Sequence, residues 1–217
     1  MIIDDDLTLV KIEENDIDDR GKCVIPFGVK AIGQAAFQAC KRLEEVVIPN
    51  TVQHIGKDAF EDCDALKTIN LPNCLTKIEY GAFFNCLQLE NILLPQTVTV
   101  IGEFAFCNCT NLKNINLPEG LIEIRSNAFA NCAMKNILIP PSVKKIGREA
   151  FESCQHLINV KMPKKIDIGG RVFSDCHPSL KIHKYELPET DLFNAAINSK
   201  MTDSIDTGVP SFNDIER

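Results

Sequence analysis

Residues 49–63 read PNTVQHIGKDAFEDC, and residues 95–109 read PQTVTVIGEFAFCNC. The two stretches share Pro, Val, Ile, Gly, Ala, Phe and Cys at the same offsets, while most positions between them differ. A fixed set of spaced residue types that returns along one chain is the signature of an internal repeat. The chain is therefore predicted to be built from copies of one structural unit.

Seven copies of this unit follow one another. Each step is 23 residues, and it shortens to 22 residues near the C-terminal end. The unit reads L-x-x-I-x-L-P-x-x-V-x-x-I-G-x-x-A-F-x-x-C-x-x, and residues 66–87, LKTINLPNCLTKIEYGAFFNCL, show it well. The three clearest series are Pro26, Pro49, Pro72, Pro95, Pro118, Pro140 and Pro163; Phe37, Phe60, Phe83, Phe106, Phe129, Phe151 and Phe173; and Cys40, Cys63, Cys86, Cys109, Cys132, Cys154 and Cys176.

The apolar anchors of the unit indicate a solenoid. A unit of this length cannot bury about eight apolar anchors by itself, so successive units must stack on one another. Ile69 and Leu71 alternate with Thr68 and Asn70, which is the period of a short strand with one buried face, and Pro72 ends the ladder because it has no N–H group. The predicted fold class is a repeat solenoid of about seven turns of 22–23 residues with a short parallel sheet.

Two further positions of the unit have predicted roles. Gly56 marks a corner that cannot require a positive φ, because Glu79 and Arg125 occupy the same place in other turns. Ala59 permits close approach of the backbone, and Phe60 is expected to belong to a spine of stacked rings.

The repeat resembles the leucine-rich repeat superfamily, and the run quoted above is similar to its BspA-like class. The resemblance covers residues 23–182. It implies a right-handed superhelix whose short parallel sheet lies on the concave face, and it implies that this face contacts a protein partner. The repeat lacks the buried Asn column that follows the strand in commoner leucine-rich repeats. Relatives of this class are often bacterial surface or secreted proteins, or occur in protists.

The two ends differ from the repeats. Residues 1–22 are predicted to form an N-terminal cap, in which Leu7, Leu9, Val10 and Ile12 provide a strand over the open end of the stack. Residues 23–182 form the repeats. Residues 183–217 are predicted to be a C-terminal tail, with a short helix capped by Asp191 and then a flexible segment.

Charge and cysteine content limit the function classes. The net charge is −7, and residues 1–20 alone carry eight acidic residues against two basic ones, which argues against a nucleic-acid partner. The N-terminal stretch does not resemble a Sec signal, and no apolar run is long enough to span a membrane. The ten cysteines are interpreted as reduced thiols, so we expect a cytoplasmic location, or secretion into a host cell without a Sec signal.

The cysteines carry the main chemical alternative. One thiol per turn is not the clustered pattern of a structural zinc site, and the column is interpreted as buried core. Cys23, Cys74 and Cys107 lie off this column, and Cys107 with Cys109 forms the one close pair, which leaves a redox or metal site as an alternative. A disulfide-bonded adhesin is another. No motif for a nucleophile or a phosphate loop occurs, so no enzymatic activity, cofactor or metal is expected.

A basic group near the last turns has two interpretations. It is either a solvated face, because Glu149, Glu152 and Asp167 are interspersed, or a site for an anionic partner. Its members are Lys144, Lys145, Arg148, Lys161, Lys164, Lys165 and Arg171.

The predicted partner-binding residues face out of the strand. Asparagines in line beside exposed apolar residues make an uncharged strip, which is typical of the core of a protein interface. The same asparagines are equally well interpreted as a ladder that stabilises the sheet, and the two interpretations are compatible. The candidate residues are Val47, Thr68, Asn70, Asn91, Leu93, Asn114, Asn116, Asn136, Leu138 and Asn159.

The sequence therefore predicts a non-enzymatic module that binds a protein through the concave face. A bacterial effector delivered into a host cell is one form of this hypothesis, motivated by the acidic C-terminal segment 202–217. A cytoplasmic scaffold and a surface adhesin are the alternatives.

Overall fold

The structure, a computed structural model, describes residues 1–186. The predicted helix that begins at Asp191 lies outside the described residues. The described part is built from short strands, with one 3-10 helix at Glu14–Asp16. The strands are β1 (Ile2–Ile3), β2 (Thr8–Lys11), β3 (Lys22–Val24), β4 (Ala31–Ile32), β5 (Glu45–Val47), β6 (His54–Ile55), β7 (Thr68–Ile69), β8 (Lys77–Ile78), β9 (Asn91–Leu93), β10 (Val100–Ile101), β11 (Asn114–Asn116), β12 (Glu123–Ile124), β13 (Asn136–Leu138), β14 (Lys145–Ile146), β15 (Asn159–Pro163), β16 (Asp167–Ile168) and β17 (Lys181–Tyr185).

The strands form two faces of a solenoid. The odd-numbered strands from β3 to β17 form what we call the first-strand face. The even-numbered strands from β2 to β16 form the second-strand face, and those from β4 to β16 follow the repeat proline. Within each face, neighbouring strands that pair do so in parallel and without offset, so that Val46 lies beside Ile69 and Ile78 beside Ile101. Parallel pairing of equivalent residues aligns each apolar position with its copy in the next turn.

The solenoid has about eight turns where the repeat count predicts about seven. The additional strand comes from the N-terminal segment, since β2 pairs in parallel with β4 and adds a member to the second-strand face. Leu9 and Ile12 of this segment are buried, whereas Leu7 and Val10 are exposed. Strand β1 pairs with β2 in antiparallel orientation and is the outermost strand at this end. At the other end, β17 pairs with β15 and extends to Tyr185.

The third side of each turn is a compact loop with two residues in the left-handed region. One position lies two residues before the phenylalanine and the other lies two residues after it. The two left-handed residues turn the backbone so that every second N–H group of the loop points along the stack. The amides of Asp58, Phe60 and Asp62 thus donate to the carbonyl oxygens of Tyr80, Ala82 and Phe84 in the next turn, at 2.8–2.9 Å. The corner glycine, Gly56, has no positive φ, in agreement with the sequence prediction.

The predicted spine of rings lies in the core. Seven phenylalanines stack along the solenoid with centroid separations of 4.7–5.6 Å and interplanar angles of at most 21°. Six of them are fully buried, and Phe173 in the last turn is partly buried. Each ring is in contact with a copy of itself in the next turn, which explains why the sequence repeats phenylalanine at this position.

The cysteine column lies beside this spine. The thiols of the column donate hydrogen bonds of 3.1–3.2 Å to the carbonyl oxygen of the phenylalanine in the preceding turn. Cys40 in the first turn has no such phenylalanine before it, and its thiol instead lies 3.9 Å from the carbonyl oxygen of Gln38. The thiol column is therefore both a packing element and a hydrogen-bond ladder.

Candidate partner-binding face

Two parallel columns of outward side chains cover the first-strand face. The first column consists of Lys22, Glu45, Thr68, Asn91, Asn114, Asn136, Asn159 and Lys181. The second column consists of Val24, Val47, Asn70, Leu93, Asn116, Leu138, Lys161 and His183. All ten candidate residues belong to these columns. Seven of them are exposed, and Asn116, Leu138 and Asn159 are half-buried.

The asparagines of the first column form two bonded pairs. The Nδ2 atom of Asn114 donates to Oδ1 of Asn91 at 2.7 Å, and Nδ2 of Asn159 donates to Oδ1 of Asn136 at 2.8 Å. Ladder bonds of this kind support the interpretation that the asparagines stabilise the sheet. They also hold the exposed amides in fixed positions.

The second column is partly apolar. Leu93 is 74% exposed and Val47 is 38% exposed, so these side chains contact water rather than the core. Leu138, which was expected to be exposed, is half-buried. Asn116 differs from its neighbours because its side chain turns back to the backbone: Oδ1 accepts from the N–H of Leu94 at 3.0 Å, and Nδ2 donates to the Leu94 carbonyl oxygen at 3.3 Å.

The sheet of the first-strand face consists of three pieces among the described residues. They are β3-β5-β7, β9-β11 and β13-β15-β17. The break between β11 and β13 coincides with a turn that is one residue shorter, since Cys132 and Met134 are separated by one residue where Cys109 and Leu112 are separated by two. The sheet is also interrupted between β7 and β9, where the turn has its full length, and β15 pairs with β17 across a shorter step, so turn length alone does not decide the breaks. The break between β11 and β13 divides the four asparagines into two pairs.

Charged residues border the strip on the side where the strands begin. Glu44, Lys67, Glu90 and Lys113 directly precede the first column in successive turns. Lys67 lies 2.6 Å from Glu44, and Lys113 lies 3.7 Å from Glu90. Exposed pairs of this kind are worth about 0–1 kcal/mol each, so they contribute little to stability. They do define an edge of alternating charge beside an uncharged centre.

The cysteine pair that was considered for redox or metal chemistry is part of the core. Cys109 is fully buried, and its thiol is directed to the Phe83 carbonyl oxygen. Burial raises the pKa of the Cys107 thiol to about 11 and that of Cys109 well above its usual range, which opposes the thiolate form that metal binding and nucleophilic attack require. Within residues 1–186 no group of three or more His, Cys, Asp or Glu side chains is arranged to hold a metal ion.

The basic group near the last turns is divided between surfaces. Lys161 lies on the first-strand face and Lys145 on the second-strand face. Arg148 and Arg171 both lie near Glu149, at 3.1 Å and 3.7 Å, and Arg171 also contacts Glu152 at 2.6 Å. These residues do not form one cationic site, and the interpretation as a solvated, partly neutralised surface fits the structure.

Sequence reasoning missed a second amide ladder, on the loop side of the solenoid. Asn85 donates to Asp62 at 2.7 Å, Asn108 donates to Asn85 at 2.9 Å, and Asn131 donates to Asn108 at 3.1 Å. All four residues have a positive φ, a conformation in which Asn and Asp are enriched. The signal in the sequence was the recurrence of Asn or Asp two residues after the phenylalanine.

Nothing in residues 1–186 forms a helix long and apolar enough to cross a membrane.

Comparisons with known proteins agree with this architecture. A family model described as BspA type leucine rich repeat region matches residues 20–103 and 76–194, in six copies. A crystal structure of a leucine-rich repeat protein from T. pallidum is 32% identical with a TM-score of 0.74, and the match covers 80% of this chain and 82% of that one. A leucine-rich cell surface protein from Faecalibacterium prausnitzii is 24% identical with a TM-score of 0.56, covering 85% of this chain and 74% of that one. Among curated proteins, none matches.

The stacked turns, the two strand faces and the periodic core define a leucine-rich repeat solenoid. Taken with the family match across most of its length, the chain belongs to the BspA-type leucine-rich repeat family. The predicted fold class and the predicted resemblance are both confirmed.

Proposed function

We propose that the protein is a non-enzymatic interaction module that binds a protein partner through the first-strand face. The observation that carries this proposal is the uncharged strip on that face, in which exposed Leu93 lies beside the bonded pair Asn91 and Asn114. Leucine-rich repeat solenoids of this family are generally binding scaffolds without catalytic activity.

The composition of the face supports a protein partner. The centre of a protein interface is depleted in charge, and its rim is polar and charged. Here the centre carries Asn, Val and Leu, and the rim carries the pairs Glu44–Lys67 and Glu90–Lys113. Complete burial of an exposed leucine is worth about 1.5–3 kcal/mol, so Leu93 is the residue on this face with the most to contribute to affinity.

The asparagine pairs support the same proposal. Because Asn114 and Asn91 already hold each other, their amides lose little rotamer freedom when a partner docks. A paired amide still has hydrogen-bonding capacity left, since each side chain carries two donors and an acceptor with two lone pairs. The ladder and the interface interpretations thus describe the same residues.

The test uses a photo-activated cross-linking residue at position 93, with position 122 as the matched control. Ile122 is an exposed aliphatic residue near the second-strand face, and its side chain is 48% exposed. We expect a protein from the source cell or its surroundings to be cross-linked from position 93 and not from position 122.

Asn114→Asp with Asn136→Asp, which places charge in the strip, should abolish this product. The circular dichroism spectrum and the melting temperature of the double variant should stay near those of the unchanged protein. Equal cross-linking from both positions, or a product that persists in the double variant, would exclude the first-strand face.

We further propose that the module works in a reducing compartment, either the cytoplasm or a host cell. The supporting observation is that all ten cysteines are free thiols and that six thiols of the column donate to a phenylalanine carbonyl oxygen. Titration of thiols in the denatured protein, isolated without reductant, should find all ten reduced. A loss of thiols in pairs would instead support the disulfide-bonded adhesin.

A further inference from the structure

The last two thiols of the cysteine column form a pair that differs from the rest of the column. Cys154 and Cys176 occupy the same position in successive turns, and both are free thiols. The column thiols from Cys63 to Cys154 are buried, whereas Cys40 at the beginning of the column and Cys176 at its end are partly exposed. A small reagent in the solvent therefore reaches the column most readily at these two positions.

The backbones of the two turns are hydrogen-bonded directly beside the pair. The N–H group of Ser153 donates to the carbonyl oxygen of Ser174 at 2.8 Å. Backbones bonded in this way lie about 4.8 Å apart. A disulfide spans Cα separations of about 4.4–6.8 Å. The two turns thus already have the spacing that a bond between Cys154 and Cys176 requires.

The two sulfur atoms are also close to each other. The Cys154 thiol lies 3.2 Å from the Phe129 carbonyl oxygen, and the Cys176 thiol lies 3.1 Å from the Phe151 carbonyl oxygen, so both side chains leave the backbone in the same direction. The Cys154 thiol is placed to donate a hydrogen bond to the Cys176 sulfur as well. The pair therefore consists of a partly exposed sulfur and a buried sulfur in contact.

This contact distinguishes Cys176 from the partly exposed thiol at the beginning of the column. The hydrogen bond from Cys154 lowers the pKa of Cys176, although burial and the carboxylates of Asp175 and Glu152 oppose this effect. Burial raises the pKa of Cys40 to about 11, and the Cys40 sulfur lies near a carbonyl oxygen of its own turn. Because the thiolate is the form that reacts with oxidants, Cys176 is the more reactive of the two.

We propose that Cys154 and Cys176 are an oxidisable pair, which closes to a disulfide when the protein meets a hydroperoxide and which a thiol reductant opens again. The proposal rests on the reducing compartment proposed above, because the pair is kept as two thiols only there. It does not depend on the partner proposed for the first-strand face.

The reaction has two steps. The Cys176 thiolate attacks one oxygen of hydrogen peroxide, so that an S–O bond forms and the O–O bond breaks, and the other oxygen leaves as water after taking up a proton. The Cys154 sulfur then attacks the sulfur of this sulfenic acid: the S–S bond forms, the S–O bond breaks, and the proton of Cys154 leaves with the oxygen as water. In total, two thiols and one hydrogen peroxide give one disulfide and two molecules of water, and the two sulfurs supply the two electrons.

The experiment counts thiols in the full chain before and after treatment with hydrogen peroxide. It uses Cys74→Ser as the background, which removes an exposed thiol and leaves nine of the ten cysteines. We expect nine thiols in the denatured protein before oxidation, seven after it, and nine again after dithiothreitol. Mass spectrometry of the peptides should show Cys154 joined to Cys176 within one chain.

Serine variants in this background assign the two roles. Cys154→Ser keeps a donor for the Phe129 carbonyl oxygen and should leave Cys176 as a sulfenic acid that dimedone traps. Cys176→Ser should lose no thiols to peroxide. Cys40→Ser, at the other partly exposed position of the column, is the control and should still form the disulfide between Cys154 and Cys176. Circular dichroism checks the fold of each variant.

Three results would overturn the proposal: nine thiols after peroxide, a disulfide between other cysteines, or the same loss of thiols in the Cys176→Ser variant. The first two are read from a protein that retains both members of the pair, so they do not depend on how the serine variants fold. Thiols that are already missing before peroxide is added would contradict the reducing compartment. The two proposals therefore fail on different measurements.

Discussion

The thiol of Cys109 donates a 3.2 Å hydrogen bond to the carbonyl oxygen of Phe83, 26 residues earlier in the chain. The same oxygen also accepts the N–H of Cys86, at 3.2 Å. The Phe83 carbonyl thus uses both lone pairs inside the core, and the second bond comes from a side chain one turn away. The thiol bond recurs along the cysteine column. A cysteine that the sequence indicates only as part of the apolar core therefore also joins adjacent turns by a hydrogen bond.

We expect Cys109→Ala to lower the free energy of unfolding by about 1–3 kcal/mol, because it removes the thiol bond and leaves a small cavity. Cys107→Ala is the matched control, since Cys107 is also buried but lies off the column. Its cost should be about 1 kcal/mol or less. Urea unfolding of both variants measures the difference, and equal losses would show that the thiol bonds contribute nothing beyond packing.

We expect stability to fall as the pH rises from about 8.5 to 10. Burial raises the pKa of Cys23, Cys40 and Cys107 to about 11, and it raises those of Cys63, Cys86 and Cys132 further. In this window the unfolded chain releases thiol protons that the folded chain retains. The folded state therefore binds more protons, and the free energy of unfolding decreases with pH.

Each fully buried thiol, such as those of Cys86 and Cys109, contributes up to about 1.4 kcal/mol per pH unit to this decrease, and the partly exposed thiol of Cys40 contributes less because solvent screens it. The urea midpoint, measured at several pH values with reductant present, checks the slope. The Cys109→Ala variant should show a shallower slope than the unchanged protein. A midpoint that stays constant up to about pH 10 would mean that the buried thiols do not govern alkaline stability.

Ser153→Asn should stabilise the protein by about 0.5–1 kcal/mol. Ser153 has a φ of 57° and follows Asn131 in the loop-side ladder. Asparagine tolerates the left-handed region better than serine and adds an amide within reach of the Asn131 side chain. Ser126→Asn is the control, because Ser126 is not among the residues with positive φ. Thermal melting should separate the two variants, and an equal shift would contradict the conformational explanation.

Phe83→Ala should cost about 3–5 kcal/mol, whereas Phe173→Ala should cost clearly less. Phe83 is fully buried and lies between two rings, 5.4 Å from Phe60 and 5.2 Å from Phe106. Phe173 is the last ring of the spine, is partly buried, and stacks on Phe151 at 5.6 Å. Denaturant unfolding of both variants tests whether the spine contributes through its neighbours. Similar costs at both positions would mean that stacking along the spine adds little.

The periodic residues were predictable because their surroundings repeat with them. Phe60, Cys63 and Ile69 each contact the same residue types in adjacent turns, so one burial pattern is valid for the whole stack. The predicted corner at Gly56 is correct for the same reason: the residues that replace glycine in other turns rule out a positive φ. The outward position of the ten candidate residues also followed from strand alternation.

The arrangement of those residues was less predictable. The four asparagines were expected in one line, but the sheet is interrupted between Asn114 and Asn136. Whether Leu138 is exposed likewise depends on how its strand pairs with the next one. Both outcomes depend on how neighbouring turns pair, which the repeat pattern does not specify.

By itself, the sequence determined the repeat length, the core columns and the side of each strand that faces water, because stacking forces every turn to place like residues together. The tertiary structure alone decided which amides bond, where the sheet is interrupted, and that the loop alternates through left-handed residues such as Asp58 and Asp62. These features arise from contacts between residues more than 20 positions apart, and such contacts are set by the packing of whole turns.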